Sequence, residues 1–400
     1  MAKHKPADKI QDIQYFGEYG GVNPSIADSS TFTYLEGKTM EEVFGGEREG
    51  CYLYSRHMNP STGYLAEAIA SMENTEAAQV AASGMGAISS VLMQICEAGD
   101  HIVSSRTIYG GTYAFMKNFL PKFNIETSFV NTTRLEEIEA AIKPNTKLIY
   151  CETMSNPLLE VSDLAAISKI AKKHDLKFVV DNTFTPLIFS PNEMGADVVI
   201  HSLTKFINGA SDTVAGVICS TREFVHELID VNQGASMLLG PTLDALRANN
   251  ILKNLRTLHI RMKQHSANAD YLARQFKALG LTVFYPGLEE HPQHQLMKET
   301  MNTEFGFGGM VMVDAGSIEK ANQLMELMQN ANIGYLAVSL GFYKTLFSAP
   351  GASTSSEIPL EEQKEMGLSN GMVRMSVGLD NDISRTFETI KDCMKTTNVI

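Results

Sequence analysis

The residues best suited to chemistry sit where short apolar runs end. Phe178-Val179-Val180 leads into Asp181, followed by Asn182-Thr183. Val198-Val199-Ile200 leads into His201, followed by Ser202-Leu203-Thr204-Lys205. Short β-branched and aromatic runs of this kind read as buried strands. A lysine just past such a strand, hemmed by two hydroxyls, is badly placed to serve solubility. Desolvation there lowers the amine's pKa and frees it as a nucleophile for Schiff-base chemistry.

Two further features follow expected strands. Ser83-Gly84-Met85-Gly86 separates the apolar Ala78–Ala82 from the helical Ala87–Ile95. Glycines opening a helix expose N–H groups at its positive end, a seat for phosphate. Tyr109-Gly110-Gly111-Thr112 follows the strand His101–Ser104, and an aromatic there can stack on a flat ring. Pyridoxal phosphate needs a lysine amine and a carboxylate on its ring nitrogen, and it has a phosphate to seat. Lys205, Asp181 and the Gly84 turn answer those needs.

These residues require a scaffold that brings strand ends together. Leu135, Ile138 and Ile142 mark a helix, and Lys147–Tyr150 a strand ending at Glu152. Leu164, Ile167, Ile170 and Ala171 mark another helix, for which Ser162 is the expected N-cap. Alternation of this kind predicts a mostly parallel sheet with helices on both faces. Ligands of such sheets bind beyond the carboxyl ends of the strands. Residues 225–275 read as helical and as the connection between domains. Beyond them, strands at 310–313 and 372–377 and helices at 318–331 and 383–394 predict a smaller α/β domain. The expected organisation is an N-terminal arm (1–56), a large domain (57–254) and a small C-terminal domain (255–400).

Composition narrows the class. The 400 residues carry 33 basic and 46 acidic side chains, a formal net charge of −13. Such a surface repels phosphate backbones, so nucleic acid is not the expected partner. No apolar run reaches membrane-spanning length, and MAKHKPADKI lacks the apolar stretch of a signal peptide. Cys51, Cys96, Cys151, Cys219 and Cys393 are scattered, which predicts reduced thiols and a cytoplasmic location. His291-Pro292-Gln293-His294 has a proline within it and no third ligand nearby, so no metal site is expected.

Together the pieces resemble a known family over nearly the whole chain: the pyridoxal-phosphate enzymes of cysteine and methionine metabolism, like cystathionine γ-synthase. The resemblance is carried by Tyr52–Pro60, Ser83–Ile88, Tyr109–Thr112, Asp181–Phe184 and His201–Lys205. Tyr285–Leu288, Leu336–Gly341 and Gly371–Gly378 continue it. It implies a type I pyridoxal-phosphate transferase fold. Lys205 would bind the cofactor and shuttle protons, Asp181 would hold the pyridine nitrogen, and Tyr109 would stack and act at the leaving group. Gly84, Met85, Ser202 and Thr204 would bind phosphate. Tyr54 and Arg56 match residues that complete that site from an adjacent subunit, which implies a homodimer at least and a homotetramer by habit of the family. Arg374, with Ser339 and Asn156, would hold the substrate.

Tyr54–Pro60, Met237–Pro241 and Ser353–Glu357 are similar to plant-type methionine γ-lyases, which implies γ-elimination of L-methionine. Cystathionine γ-lyase, cystathionine γ-synthase and O-acylhomoserine sulfhydrylase chemistry use the same residues and form the alternative. A silent cofactor-binding protein is disfavoured by the intact Lys205, Asp181, Tyr109 and Arg374. Two positions depart from relatives: Gly111 stands where bacterial methionine γ-lyases carry cysteine, and Lys344 where relatives usually carry glutamate.

Overall fold

The computed structural model describes residues 4–45, 47, 48, 50–352, 361, 363 and 368–400. The Ser353–Glu357 motif lies outside the described residues. Seven strands form the larger sheet: β1 (Ala77–Ala81), β2 (His101–Ser105), β3 (Glu126–Val130), β4 (Thr146–Glu152), β5 (Lys177–Asp181), β6 (Val198–Ser202) and β7 (Gly216–Ser220). Their order is β1-β7-β6-β5-β4-β2-β3. All neighbours run parallel except β7, which is antiparallel to both β1 and β6. The expected mostly parallel sheet therefore has one reversed strand inside it.

Helices cover both faces, which is why β4 to β6 read as continuous apolar runs rather than alternating ones. Tyr150, Val179 and Ile200 pack with Ile88, Val91 and Leu92 of the helix Gly84–Ile95. On the other face Ile149, Val180 and Val199 pack with Leu65 and Ile69 of the helix Pro60–Glu73 and with Ile167. Each such side chain taken fully from water contributes roughly 1.5–3 kcal/mol. The strand register pairs Glu152 with Asp181 and Asp181 with Ile200, so the polar strand ends share one edge.

The helix Leu164–Lys173 is capped by Asp163, whose carboxylate accepts the Ala166 N–H at 3.0 Å, and not by Ser162. The Ser162 hydroxyl instead donates to the Glu152 carbonyl at 2.9 Å, which occupies it at the strand end. The helix Leu258–Ala278 links two cores. Leu258 and Met262 belong to the large one, Leu272 and Phe276 to the smaller. The smaller sheet comprises β8 (Val283–Phe284), β9 (Met310–Asp314), β10 (Gly334–Leu336), β11 (Thr345–Ser348) and β12 (Met372–Ser376). Its order is β10-β11-β12-β9-β8.

The N-terminal segment is less extended than its composition suggests. Pro6–Asp12 is a helix with proline in its first turn, and Ile10 packs into the large core. After it, Phe16, Tyr19, Val22 and Leu35 are exposed. Among the described residues, no helix is long and apolar enough to cross a membrane.

Candidate active site

A cavity of about 380 Å³ lies between the polar edge of the large sheet and the smaller sheet's β10–β11 loop. Gly84, Met85, Tyr109, Asn156, Asp181, Ser202, Thr204, Lys205, Ser339 and Arg374 all line it. Tyr54 and Arg56 do not. Tyr54 is half exposed, and the Arg56 guanidinium donates to the Met237 carbonyl at 2.8 Å outside the cavity.

One end is built for an anion. Ser83 caps the helix Gly84–Ile95 by accepting the Gly86 N–H at 2.9 Å. The Gly84 and Met85 N–H groups, first in that helix, have no acceptor within it. The turn must be glycine at position 84, because an added Cβ would lie 2.8 Å from Ser202 Cβ. Thr204 is fixed by the Ala215 backbone, accepting its N–H at 3.0 Å and donating to its carbonyl at 3.2 Å.

Lys205 follows β6 and donates to the Ser339 hydroxyl at 2.9 Å. Burial, reinforced by the nearby Arg374 charge, brings the Lys205 amine down to about 8. Ser339 holds a left-handed backbone with φ 93°, a conformation that costs a non-glycine residue about 1–3 kcal/mol. Asp181 ends β5, buried; its Oδ1 accepts the Thr183 N–H at 2.9 Å, and the Tyr150 hydroxyl stands 3.5 Å from Oδ2. Burial raises the Asp181 carboxyl, while the Thr183 donors oppose that shift.

Arg374 comes from β12 and is buried, with its Nη1 donating to the Asn156 side-chain oxygen at 2.9 Å. No carboxylate of the described residues pairs with it, and burial brings it down to about 10. A buried guanidinium with Asn156 as its partner has the fork geometry that suits a carboxylate. Tyr109 stands at the start of the helix Gly110–Ala114 with its ring against Gly111, where an added Cβ would lie 2.6 Å from Cε1. Glycine at 111 thus leaves room for the tyrosine ring in this position.

Glu152 was not singled out, although it ends an apolar strand just as Asp181 does. Its two oxygens accept the Tyr109 N–H at 2.7 Å and the Asn156 N–H at 2.9 Å, so one carboxyl anchors two cavity residues. Burial, then the charge of Asp181, pushes it well above the usual carboxylate range. Arg261, on the helix between the two cores, was missed as well. It donates to the Phe206 and Ile207 carbonyls, holding the turn just after Lys205. Of the expected non-metal histidines, His294 bonds the Pro286 carbonyl and stacks on Phe307.

These residues fit pyridoxal phosphate. The close approach at Gly84 leaves two helix-start N–H groups and the Ser202 hydroxyl for a phosphate, with Thr204, its proton given to the Ala215 carbonyl, lining the cavity beside them. A buried carboxylate at Asp181 suits a protonated ring nitrogen, and an amine of lowered pKa suits the aldehyde.

Comparison with known proteins agrees. Residues 10–391 match the model of the Cys/Met metabolism PLP-dependent enzymes. The chain is 45% identical over 380 residues to a methionine gamma-lyase of Arabidopsis thaliana, covering 93% of this chain and 86% of the relative. It is 38% identical over 362 residues to a cystathionine gamma-lyase of Bacillus subtilis, covering 88% and 92%. A Campylobacter jejuni crystal structure containing N′-pyridoxyl-lysine-5′-monophosphate superposes with TM-score 0.90 at 26% identity, covering 98% of this chain and all of that one. The fold is the type I fold of pyridoxal-phosphate enzymes, its cofactor is pyridoxal phosphate, and the chain belongs to the Cys/Met metabolism PLP-dependent enzyme family.

Proposed function

We propose that this protein is a carbon–sulfur lyase that converts L-methionine and water into methanethiol, 2-oxobutanoate and ammonia. The observation that carries the reading is one cavity that holds three things. They are the Lys205 amine, the unpaired Arg374 guanidinium, and an apolar wall of Ile88, Met154, Phe184, Val338 and Leu340. A carboxylate, a reactive Cα and a thioether tail have their counterparts there. The 45% identity to the Arabidopsis thaliana methionine gamma-lyase supports the same choice.

Bound pyridoxal phosphate supplies an electron sink that makes the substrate Cα–H acidic. Asp181 holds its ring nitrogen. The Gly84 and Met85 N–H groups and the Ser202 hydroxyl hold its phosphate, and Thr204, bonded both ways to Ala215, fixes the adjoining turn. Arg374, steadied by Asn156, grips the substrate carboxylate as a fork, with Ser339 beside it. That grip sets Cα against Lys205, whose amine takes the α-proton and assists removal of a β-proton. The Tyr109 phenol gives a proton to sulfur as the Cγ–S bond breaks.

That Tyr54 and Arg56 stay out of their own cavity supports the reading that they complete the phosphate site of a second subunit. Exposed Phe16, Tyr19, Leu35, Leu238 and Leu239 support such pairing, and the assembly is read as a homodimer that pairs into a homotetramer. Five free cysteines support a cytoplasmic location.

The identity to a Bacillus subtilis cystathionine gamma-lyase favours a second reading, cystathionine cleavage or γ-replacement. Ranking kcat/KM for L-methionine, L-cystathionine and O-acetylhomoserine with sulfide separates them; methionine is expected first, and either other substrate first overturns the choice. Lys344 bears on this ranking. Its ammonium lies 5.6 Å from the Tyr335 ring centroid, on the loop that presents Ser339. A cation there disfavours a substrate with a distal ammonium. Lys344→Glu is expected to raise the cystathionine-to-methionine ratio of kcat/KM several-fold, roughly 1 kcal/mol of charge preference. An unchanged ratio removes Lys344 from the account.

The lowered Lys205 pKa predicts a pH profile. Only the neutral amine attacks an aldehyde, and its fraction grows as pH rises through about 8. The rate at which apoprotein takes up pyridoxal phosphate, followed by absorbance, should climb through that pH and level off above it. A rate still rising toward the ordinary lysine pKa of 10.5 would show that the amine is not desolvated.

A further inference from the structure

On the far face of the large sheet, behind Asp181, a carboxylate and an imidazole are buried together. Glu73 ends the helix Pro60–Glu73, and His201 precedes Ser202 on β6; both side chains are closed to solvent. His201 Nε2 lies 2.7 Å from Glu73 Oε1, and Asn182 Nδ2 donates to the same oxygen at 3.3 Å. The Asn182 carboxamide oxygen accepts from the hydroxyls of Thr153 and Thr185 at 3.2 and 2.8 Å. Strand alternation explains the arrangement. Asp181 and Ser202 face the cavity side, so Asn182 and His201 face the opposite side. A single carboxylate therefore ties together the two strand ends that carry the ring seat and the lysine turn.

A carboxylate so enclosed is costly unless a positive charge accompanies it. Among the described residues, the side chains bonded to Glu73 are Asn182 and His201, and of these the imidazole alone can carry one. The other ionisable groups nearby, Asp181 and Cys219, cannot supply a cation. A charged His201 also acts on Asp181, opposing the rise that burial imposes.

We propose that Glu73 and His201 are positioning residues for the cofactor's ring seat. Their ion pair holds the ends of β5 and β6 in register and keeps a positive charge behind Asp181, so that Asp181 faces the ring nitrogen as a carboxylate. The inference rests on the assignment of Asp181 to that nitrogen. It does not depend on which sulfur amino acid is cleaved.

Glu73→Gln keeps the side-chain length and an acceptor for His201 but removes the charge. In the purified holoenzyme it should weaken pyridoxal phosphate binding about ten-fold or more and alter the visible absorption of the lysine-bound cofactor. With L-methionine, kcat should fall by a similar factor while KM stays within about two-fold. The double variant Glu73→Gln/His201→Gln replaces the ion pair with two amides, which can bond without charge. Its Tm should recover toward native while cofactor affinity, spectrum and kcat remain those of the single variant. Native affinity and spectrum in Glu73→Gln, or their return together with Tm in the double variant, would reduce the pair to packing. In the unaltered holoenzyme, ¹⁵N shifts of the His201 ring should report an imidazolium at neutral pH, and a neutral ring overturns the proposal without any variant. Failure of methionine turnover in that same protein would count against the reaction assigned above and leave these cofactor readouts intact.

Discussion

Lys205→Ala is expected to reduce turnover of L-methionine by roughly 10³-fold or more, since the proposed function has one residue both attach the cofactor and move the proton. The amine lies 2.9 Å from Ser339 and within the field of Arg374, and burial there already disfavours its charged form. Among the described residues, no other lysine lines the cavity to take its place. Alanine leaves the Gly84–Met85 turn, the hydroxyls of Ser202 and Thr204, and Asp181 in position, so cofactor should still bind without a covalent link. Borohydride reduction followed by intact mass measurement checks both halves of this expectation. Native protein should gain a pyridoxyl group and the variant should not. A variant retaining a substantial fraction of native kcat would mean that the proton carrier has been misassigned.

Arg374→Met carries the second large effect, and it should separate substrate binding from stability. The guanidinium is buried on β12 with Asn156 as its hydrogen-bond partner and no carboxylate of the described residues beside it. Removing a charged group that meets a substrate carboxylate costs about 3 kcal/mol, so kcat/KM for methionine should fall roughly 100-fold. The apoprotein should not suffer correspondingly. An apolar side chain of similar size relieves the penalty of a buried, unpaired cation, so Tm should hold or rise. Pyridoxal phosphate uptake should remain native, because the proposed function assigns Arg374 to the substrate and not to the cofactor. A drop in Tm alongside an unchanged kcat/KM would make Arg374 a structural residue.

Where the local run decides the outcome, the sequence was readable. The apolar stretches before Asp181 and Ser202 could only be buried strands, and parallel pairing then brings their ends to one edge. Glu152 offered the same signature, yet a glutamate after an apolar run reads equally well as a solvated strand end. Only the folded register shows it accepting the Tyr109 and Asn156 amides. Ser339 and Arg374 were reachable through resemblance alone. Nothing in their own segments says that a second sheet will lean them over Lys205. The reversed strand β7 lacks a local cue as well, since Val217-Ile218-Cys219 reads alike in either direction. Glu73 and His201 lie far apart in the chain, and their meeting depends on how one helix end packs under the sheet. Pro6–Asp12 was obscured by its polar surroundings, because only Pro6 and Ile10 of that helix are buried.

The most direct test of the account is a product balance with L-methionine as sole substrate. Purified protein loaded with pyridoxal phosphate should release methanethiol, 2-oxobutanoate and ammonia in equal amounts, and Lys205→Ala should release all three at least about 10³-fold more slowly. Intact methionine, with homocysteine accumulating once O-acetylhomoserine and sulfide are supplied, would contradict the lyase assignment and move the same cavity to γ-replacement.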